Sequence, residues 1–376
     1  MSAVLQATAN ARSGGRWEKY RAAAGGLSEY WYPATTAALL RRKKRQVVKL
    51  LDRNLVLFHE QGAFYALLDR CPHRQIPLSL GRIEFPGHIS CIFHGWTFDL
   101  KSGRLIAALT DGPGSPVTGK ACVRTFPVAE RAGLIFVWMG EGAPVPVEED
   151  IPTELLHADA RVYPYARIVP GNWRHAAENG FDEGHVKMVH RTALWVAFRN
   201  VSAWNETSID RSDDGVWLLR KQKKVNLFDH YPGLGTWPKK RFWKPDPNTG
   251  TVTGGSDHGV DVRLPAILRV KQPGKADWTH YEWYVPIDEG HYYYLVLAVT
   301  WRRSAWKRFT FWLRYWTYIL WLHHYQFNGQ DLTVVPAMPE SSPSPAYRPD
   351  ESIVLWRKLV EEEARAPRAD PAGGRS

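Results

Sequence analysis

Two short stretches carry a thiol and an imidazole each: Cys71-Pro72-His73-Arg74 and Cys91-Ile92-Phe93-His94-Gly95-Trp96. Brought face to face, they present two sulfurs and two ring nitrogens. That donor set suits a tetrahedral zinc ion, or a [2Fe-2S] cluster with two histidines on one iron. Zinc sites of this composition usually place both cysteines in one knuckle and both histidines in another. Here Cys and His alternate, as a two-iron cluster requires when each loop gives its Cys to one iron and its His to the other. Two of only three cysteines fall in these loops, and Cys122 reads as a buried or free thiol.

A second stretch, Asn179-Gly180-Phe181-Asp182-Glu183-Gly184-His185-Val186-Lys187-Met188-Val189-His190, holds two histidines and acids. Five residues rotate a straight helix by about 500°, so His185 and His190 share no face of one. They converge only if the helix bends or ends between them, and Gly184 is placed to loosen it. Two imidazoles with one carboxylate would form a three-ligand site that leaves coordination positions open.

Cys-x-His followed by Cys-x-x-His resembles the Rieske motif. With Asp-x-x-His-x-x-x-x-His downstream, the chain resembles Rieske non-heme iron oxygenases over roughly residues 30–358. It is similar to the homotrimeric oxygenase components of the carbazole angular dioxygenase group. Supporting stretches are Glu178–Asp182, Glu282–Glu289 and Trp356-Arg357-Lys358-Leu359. The resemblance implies that Cys71, His73, Cys91 and His94 hold the [2Fe-2S] cluster, and that His185 and His190 bind a mononuclear Fe(II). Asp331 is the implied third ligand, with Glu340 and Asp350 as rivals. Asp182 is implied to bridge His185 to the cluster ligand His94 of a neighbouring subunit in a homotrimer. One departure stands out: carbazole-type members commonly have three residues between the two histidines, and this chain has four.

The implied activity is that of a terminal oxygenase. It would use O₂ and electrons from NAD(P)H, passed on by a reductase and a ferredoxin, because the chain has no dinucleotide fingerprint of its own. The implied reaction is mono- or cis/angular dihydroxylation of a hydrophobic aromatic or heteroaromatic substrate. Oxidative dealkylation or hydroxylation of a polycyclic, steroid-like substrate is the alternative. A Rieske electron carrier without oxygenase activity has no need of the Asp182/His185/His190 set.

The elements that must position these groups read as an α+β chain. Residues 1–28 form a helical lead-in. Residues 29–145 form an all-β cluster domain with strands near 46–51, 55–59, 63–68, 97–100, 123–128 and 133–138. Residues 146–364 form a catalytic domain of helix-grip type, an antiparallel sheet flanked by helices. Its strands are expected at 216–222, 260–270, 278–286 and 292–300, with one helix over 172–190 and others over 308–327 and 349–364. A loop is expected at 237–255 and a disordered tail at 365–376. Gly114 to Lys120 has the spacing of a phosphate-binding loop, but Ala121 replaces its Ser/Thr and Pro116 removes a donor.

Composition is that of a globular protein, 44% hydrophobic and 23% charged. Few cysteines, no signal-peptide pattern and no eighteen-residue apolar run point to the cytoplasm. The net charge of +11 comes with no nucleic-acid motif. The run Arg41–Arg45 reads as a solvated loop or as a docking surface for an acidic redox partner. The helix over 308–322 is apolar nearly all round and is expected to be buried. Its other reading is an interfacial helix on a membrane.

Overall fold

The structure is a computed structural model. It describes residues 17–194, 204–226, 230–236, 251–256, 259–270, 278–302, 304–339 and 347–366. The chain divides into two compact units: residues 25–157 with 285–288 and 365–376, and residues 1–24 with 158–284 and 289–364.

The first unit is built of small antiparallel sheets. Arg45–Leu50, Arg53–Glu60, Ala63–Leu68 and Thr125–Phe126 form one; Trp31–Thr36, Leu134–Trp138 and Val128–Arg131 form another. The third sheet, His88–Ser90, Trp96–Asp99 and Leu105–Ala108, lies around the second Cys/His loop. The strand expected over 123–128 is interrupted at Pro127, which has no N–H to give a ladder, and resumes in a different sheet. The basic run is not a loop. Arg41, Arg42 and Lys43 form the last turn of the helix Ala37–Lys43, where positive charge faces the negative end of the helix dipole. Thr36 caps its other end by accepting from the Leu39 N–H at 3.2 Å, and Arg41 pairs with Glu130 at 2.6 Å. Arg365, expected in the tail, is anchored: its guanidinium lies 2.7 Å from Asp150. Residues 367–376 of that tail lie outside the described residues.

The second unit is organised by an eight-stranded antiparallel sheet. Its order is Arg161–Pro170, His291–Thr300, Trp278–Asp288, Ile267–Val270, Val260–Arg263, Leu218–Asn226 and Asn205–Arg211, with Thr251–Ser256 also pairing to Leu218–Asn226. The single strand expected over 260–270 is a hairpin, because Pro265 breaks the ladder and Ala266 takes a positive φ of 74°. The loop expected over 237–255 gives way to strand at Thr251, and 237–250 lies outside the described residues.

The buried helix Trp173–Phe181 lies on this sheet. Asn172 caps it, accepting from the Arg174 N–H at 3.0 Å. Gly180 permits the close approach: a Cβ there would come within 2.4 Å of the Tyr284 hydroxyl and 2.6 Å of Leu268. The expected helix over 172–190 is three pieces. It stops at Asp182, whose backbone is extended, restarts over Gly184–Met188 and tightens to 3₁₀ over Val189–Thr192.

The helix expected over 308–327 also differs. It is α-helical over Ala305–Arg314 and π-helical over Tyr315–Phe327. Only one side is buried: Phe311, Tyr315, Ile319, Leu322 and His324. Phe311, Tyr315 and Ile319 pack toward Trp278, Ala298 and Tyr163, and the opposite face is exposed. Hydropathy registers how much apolar surface a helix has, but not how much of it the rest of the fold covers.

Candidate metal centres

In the first unit the two Cys/His loops are built alike. The Cys71 N–H donates to Ile76 O and the Cys91 N–H to Trp96 O, both at 2.8 Å. The N–H of Gln75 closes on Cys71 O at 2.9 Å, and that of Gly95 on Cys91 O at 3.0 Å. Gln75 and Gly95 hold the same left-handed backbone, φ 62° and 63°. Two matching turns therefore aim two pairs of ligands at one place. The cysteines belong to the core with Val56, Leu67 and Phe98, whereas His73 and His94 are at the surface. The imidazole Nδ1 atoms lie 3.2 Å apart, and Trp96 stacks on His73 at 4.7 Å between centroids. Burial, then the neighbouring Cys91, pushes the Cys71 thiol up to about 11. Paired buried thiols of this kind ionise readily only beside a cation. The donor set fits a cluster with sulfur on one iron and nitrogen on the other.

In the second unit His185, His190 and Asp331 come together, with one ligand atom from each within 4.8 Å of the others. The change of helix type at Val189 brings the histidines round: His185 sits in the α-helical piece and His190 in the 3₁₀ turn. Asp331 arrives on the short turn Gln330–Thr333, which follows the π-helix. His185 Nδ1 lies 2.9 Å from the Asp182 carbonyl, which can only accept, so that nitrogen carries the proton. His190 Nδ1 lies 3.2 Å from Gln330 Oε1 and donates to it. Both Nε2 lone pairs are thereby left facing Asp331 Oδ1, at 3.8 and 3.3 Å. Two neutral imidazoles and a carboxylate in this tautomeric arrangement fit a divalent metal ion with open positions.

Asp182 is the hinge of this geometry. Its carboxylate accepts from the N–H groups of Gly184 at 2.9 Å and His185 at 2.8 Å, satisfying donors at the start of the second helical piece. Burial pushes its carboxyl up, but the hydrogen bonds from His185 and the Gly184 N–H outweigh this and hold it below the usual carboxylate range. Of the rival ligands, Asp350 is turned to local use, accepting from the Tyr347 N–H at 3.0 Å at the head of the C-terminal helix. Glu340 lies outside the described residues.

The family model described as the Rieske [2Fe-2S] domain matches residues 30–127. The model described as homotrimeric ring hydroxylase matches residues 138–203 and 244–368. The chain is 32% identical over 373 residues to the terminal oxygenase component of carbazole 1,9a-dioxygenase from Sphingomonas sp., covering 93% of this chain and 95% of that one. The chain belongs to the homotrimeric Rieske ring hydroxylases.

Solved structures agree with that membership. The terminal oxygenase of carbazole 1,9a-dioxygenase from Novosphingobium sp. KA1 superposes with a TM-score of 0.77 at 28% identity, covering 94% of this chain and 97% of that chain. The reduced complex between oxygenase and ferredoxin in carbazole 1,9a-dioxygenase matches with a TM-score of 0.76 at 25% identity, over 98% and 95% of the two chains.

Around the triad, this ring hydroxylase has a supporting layer that its sequence does not advertise. Gln330 Nε2 donates to Thr192 Oγ1 at 2.8 Å, which turns the amide oxygen toward His190. Asn179 Nδ2 donates to Asp331 Oδ1 at 3.1 Å. Phe327 stacks on His190 at 3.7 Å between centroids. Beneath lies buried Glu282, whose carboxylate accepts from Asn328 at 3.0 Å and Tyr284 at 2.8 Å, with His280 at 3.0 Å. Burial raises the Glu282 carboxyl, but these bonds and the charge of His280 override it and hold it at about 2. This network pins the chain three residues before Asp331. Further out, Arg357 forms two bonds to Glu178, at 2.5 and 3.0 Å, tying the C-terminal helix to the helix that ends at Asp182.

No described helix is long and apolar enough to cross a membrane.

Proposed function

We propose that this chain is the terminal oxygenase of a multicomponent system that receives electrons from a ferredoxin and hydroxylates an apolar aromatic or heteroaromatic substrate. The carrying observation is the convergence of His185, His190 and Asp331, with both imidazoles held in the tautomer that frees Nε2. Cys71, His73, Cys91 and His94 would hold the [2Fe-2S] cluster, and the triad would hold mononuclear Fe(II). When bound, the cluster supplies one-electron transfer and the Fe(II) supplies O₂ activation.

The rest of the task falls to the protein. His73 and His94 lie at the surface and would hold the cluster where a redox partner or a neighbouring subunit has access. Histidine ligation raises the potential above that of all-cysteine clusters, so a low-potential ferredoxin can deliver electrons. Asp182 would accept a hydrogen bond from His94 of a neighbouring subunit while holding His185, giving a short path between centres in a ring of identical chains. Phe327 gives His190 an aromatic wall, which suits a flat apolar substrate. The ferredoxin complexes and carbazole activity of the relatives support this assignment.

The test is iron content with EPR of the anaerobic, dithionite-reduced protein, with and without nitric oxide. Wild type should give three irons per chain, a rhombic cluster signal and a high-spin iron-nitrosyl signal. Asp331→Ala should lose the nitrosyl signal and one iron while keeping the cluster. A wild type with the cluster signal alone, even after Fe(II) reconstitution, would reduce the protein to an electron carrier.

A further inference from the structure

The helical segment from Ala305 to Phe327 turns its less expected side outward. Its buried side is Phe311, Tyr315, Ile319, Leu322 and His324. On the opposite side Trp306, Trp312, Trp316 and Trp321 are between 45% and 70% exposed. Three of the exposed rings adjoin: Trp306 and Phe309 lie 5.8 Å apart, and Phe309 stacks on Trp312 at 6.1 Å. Exposed tryptophans scattered singly need no explanation, but a row of them along one helix face does.

Charge indicates what covers the row. Residues 302–327 include Arg302, Arg303, Lys307, Arg308 and Arg314, and not one Asp or Glu. At 100° per residue over the α-helical part, Lys307 and Arg314 lie on one flank of the aromatic face, both exposed. An apolar face rich in Trp and edged by cations is the pattern of a helix lying in the headgroup region of a bilayer. The segment itself has no carboxylate to balance these cations, and a surface of phosphate headgroups supplies the negative charge. No described helix spans a membrane, so the contact is made in the plane.

We propose that the Trp306–Trp321 face adsorbs in-plane to anionic lipid. The segment ends at Phe327, stacked on His190. If the oxygenase reading above holds, adsorption places the catalytic site beside the phase in which an apolar substrate concentrates. Adsorption itself involves no turnover, so it stands or falls apart from that reading.

The experiment is flotation of the purified holoprotein with phosphatidylcholine vesicles, with and without phosphatidylglycerol. Tryptophan quenching by brominated lipid is read in parallel. The expected result is flotation with the anionic vesicles, reduced by salt, with quenching. Lys307→Gln with Arg314→Gln should weaken binding roughly fivefold per charge removed. Trp306→Ser with Trp312→Ser should abolish quenching while the cluster absorbance and far-UV circular dichroism stay unchanged. Failure of wild type to float with anionic vesicles would overturn the proposal, as would undiminished binding of the double serine variant. Dissociation of a wild-type oligomer by the serine pair would also overturn it, by placing the face between copies.

Discussion

The two candidate metal centres reach similar ends by different routes. In the cluster region, each ligand pair is fixed by its own turn, with two backbone hydrogen bonds spanning four and five residues. In the catalytic region nothing is local beyond the Asp182 hinge. His190 is oriented by a residue 140 positions away, and Asp331 is held by Asn179, 152 positions away. A site made of turns depends on short-range backbone geometry; a site made of long-range contacts depends on the whole sheet beneath it. The second kind should be the easier to disable without touching a ligand.

Asp182→Asn bears most heavily on this contrast. It removes one acceptor at the hinge and, on the proposed function, the path between centres. Turnover should fall below detection while both iron signals persist in EPR. Full activity in that variant would show that the hinge is only structural.

Acid should separate the two units next. His324 is buried and His323 half-buried in the second unit, and desolvation, then the charge of His280, lowers them to about 2 and about 3. In the unfolded chain they titrate near 6.5, so below that pH the unfolded state binds more protons. Stability present above pH 6.5 is therefore lost as pH falls, by about 2 kcal/mol per histidine at pH 5. Glu282, depressed to about 2, adds a second loss as pH falls through 4.5 toward 2. Tryptophan fluorescence and visible circular dichroism of the cluster, followed against urea at pH 7.5 and 5.5, check this. The fluorescence midpoint should drop first, and a cluster signal that fails before it would break the comparison.

Gln330→Ala should weaken Fe(II) binding about 10- to 100-fold, the usual cost of removing the partner that orients a metal-bound histidine. Titration of the apo triad with Fe(II), cluster intact, measures it; an unchanged affinity would leave Phe327 as the support that matters.

The smallest effect belongs to the cluster loops. Gln75 holds the left-handed backbone that Gly95 holds in the sister loop, at a steric cost glycine does not pay. Gln75→Gly should stabilise the first unit by up to about 1 kcal/mol. Urea unfolding followed by cluster absorbance would record this as a higher midpoint, and a lower one would mean that the Gln75 side chain contributes more than its conformation costs.

Legibility in the sequence follows the same division. Both cluster ligand pairs lie within four residues, so spacing alone exposes them. His185 and His190 could be read as partners only by requiring a break between them, and the structure supplies it at Val189, where the helix tightens to 3₁₀. Asp331 rested on family resemblance, because a turn so far along the chain has no local pattern. Gln330, Thr192, Asn179 and Glu282 gave no signal, since their roles exist only once strands and helices distant in sequence meet. The aromatic segment at 305–327 misled in the opposite direction: its composition fits a core, but the fold buries a single stripe.

The bond between Thr192 and Gln330, spanning 138 residues, has a further consequence. Together with His190 and Asp331 it marks the neck of a loop that contains most of the catalytic sheet. An ion gripped at that neck acts as a clasp, and closing so long a loop removes substantial entropy from the unfolded chain. On the proposed function, iron loading would be a folding event as well as a catalytic one, and the empty form would be the one a protease finds first.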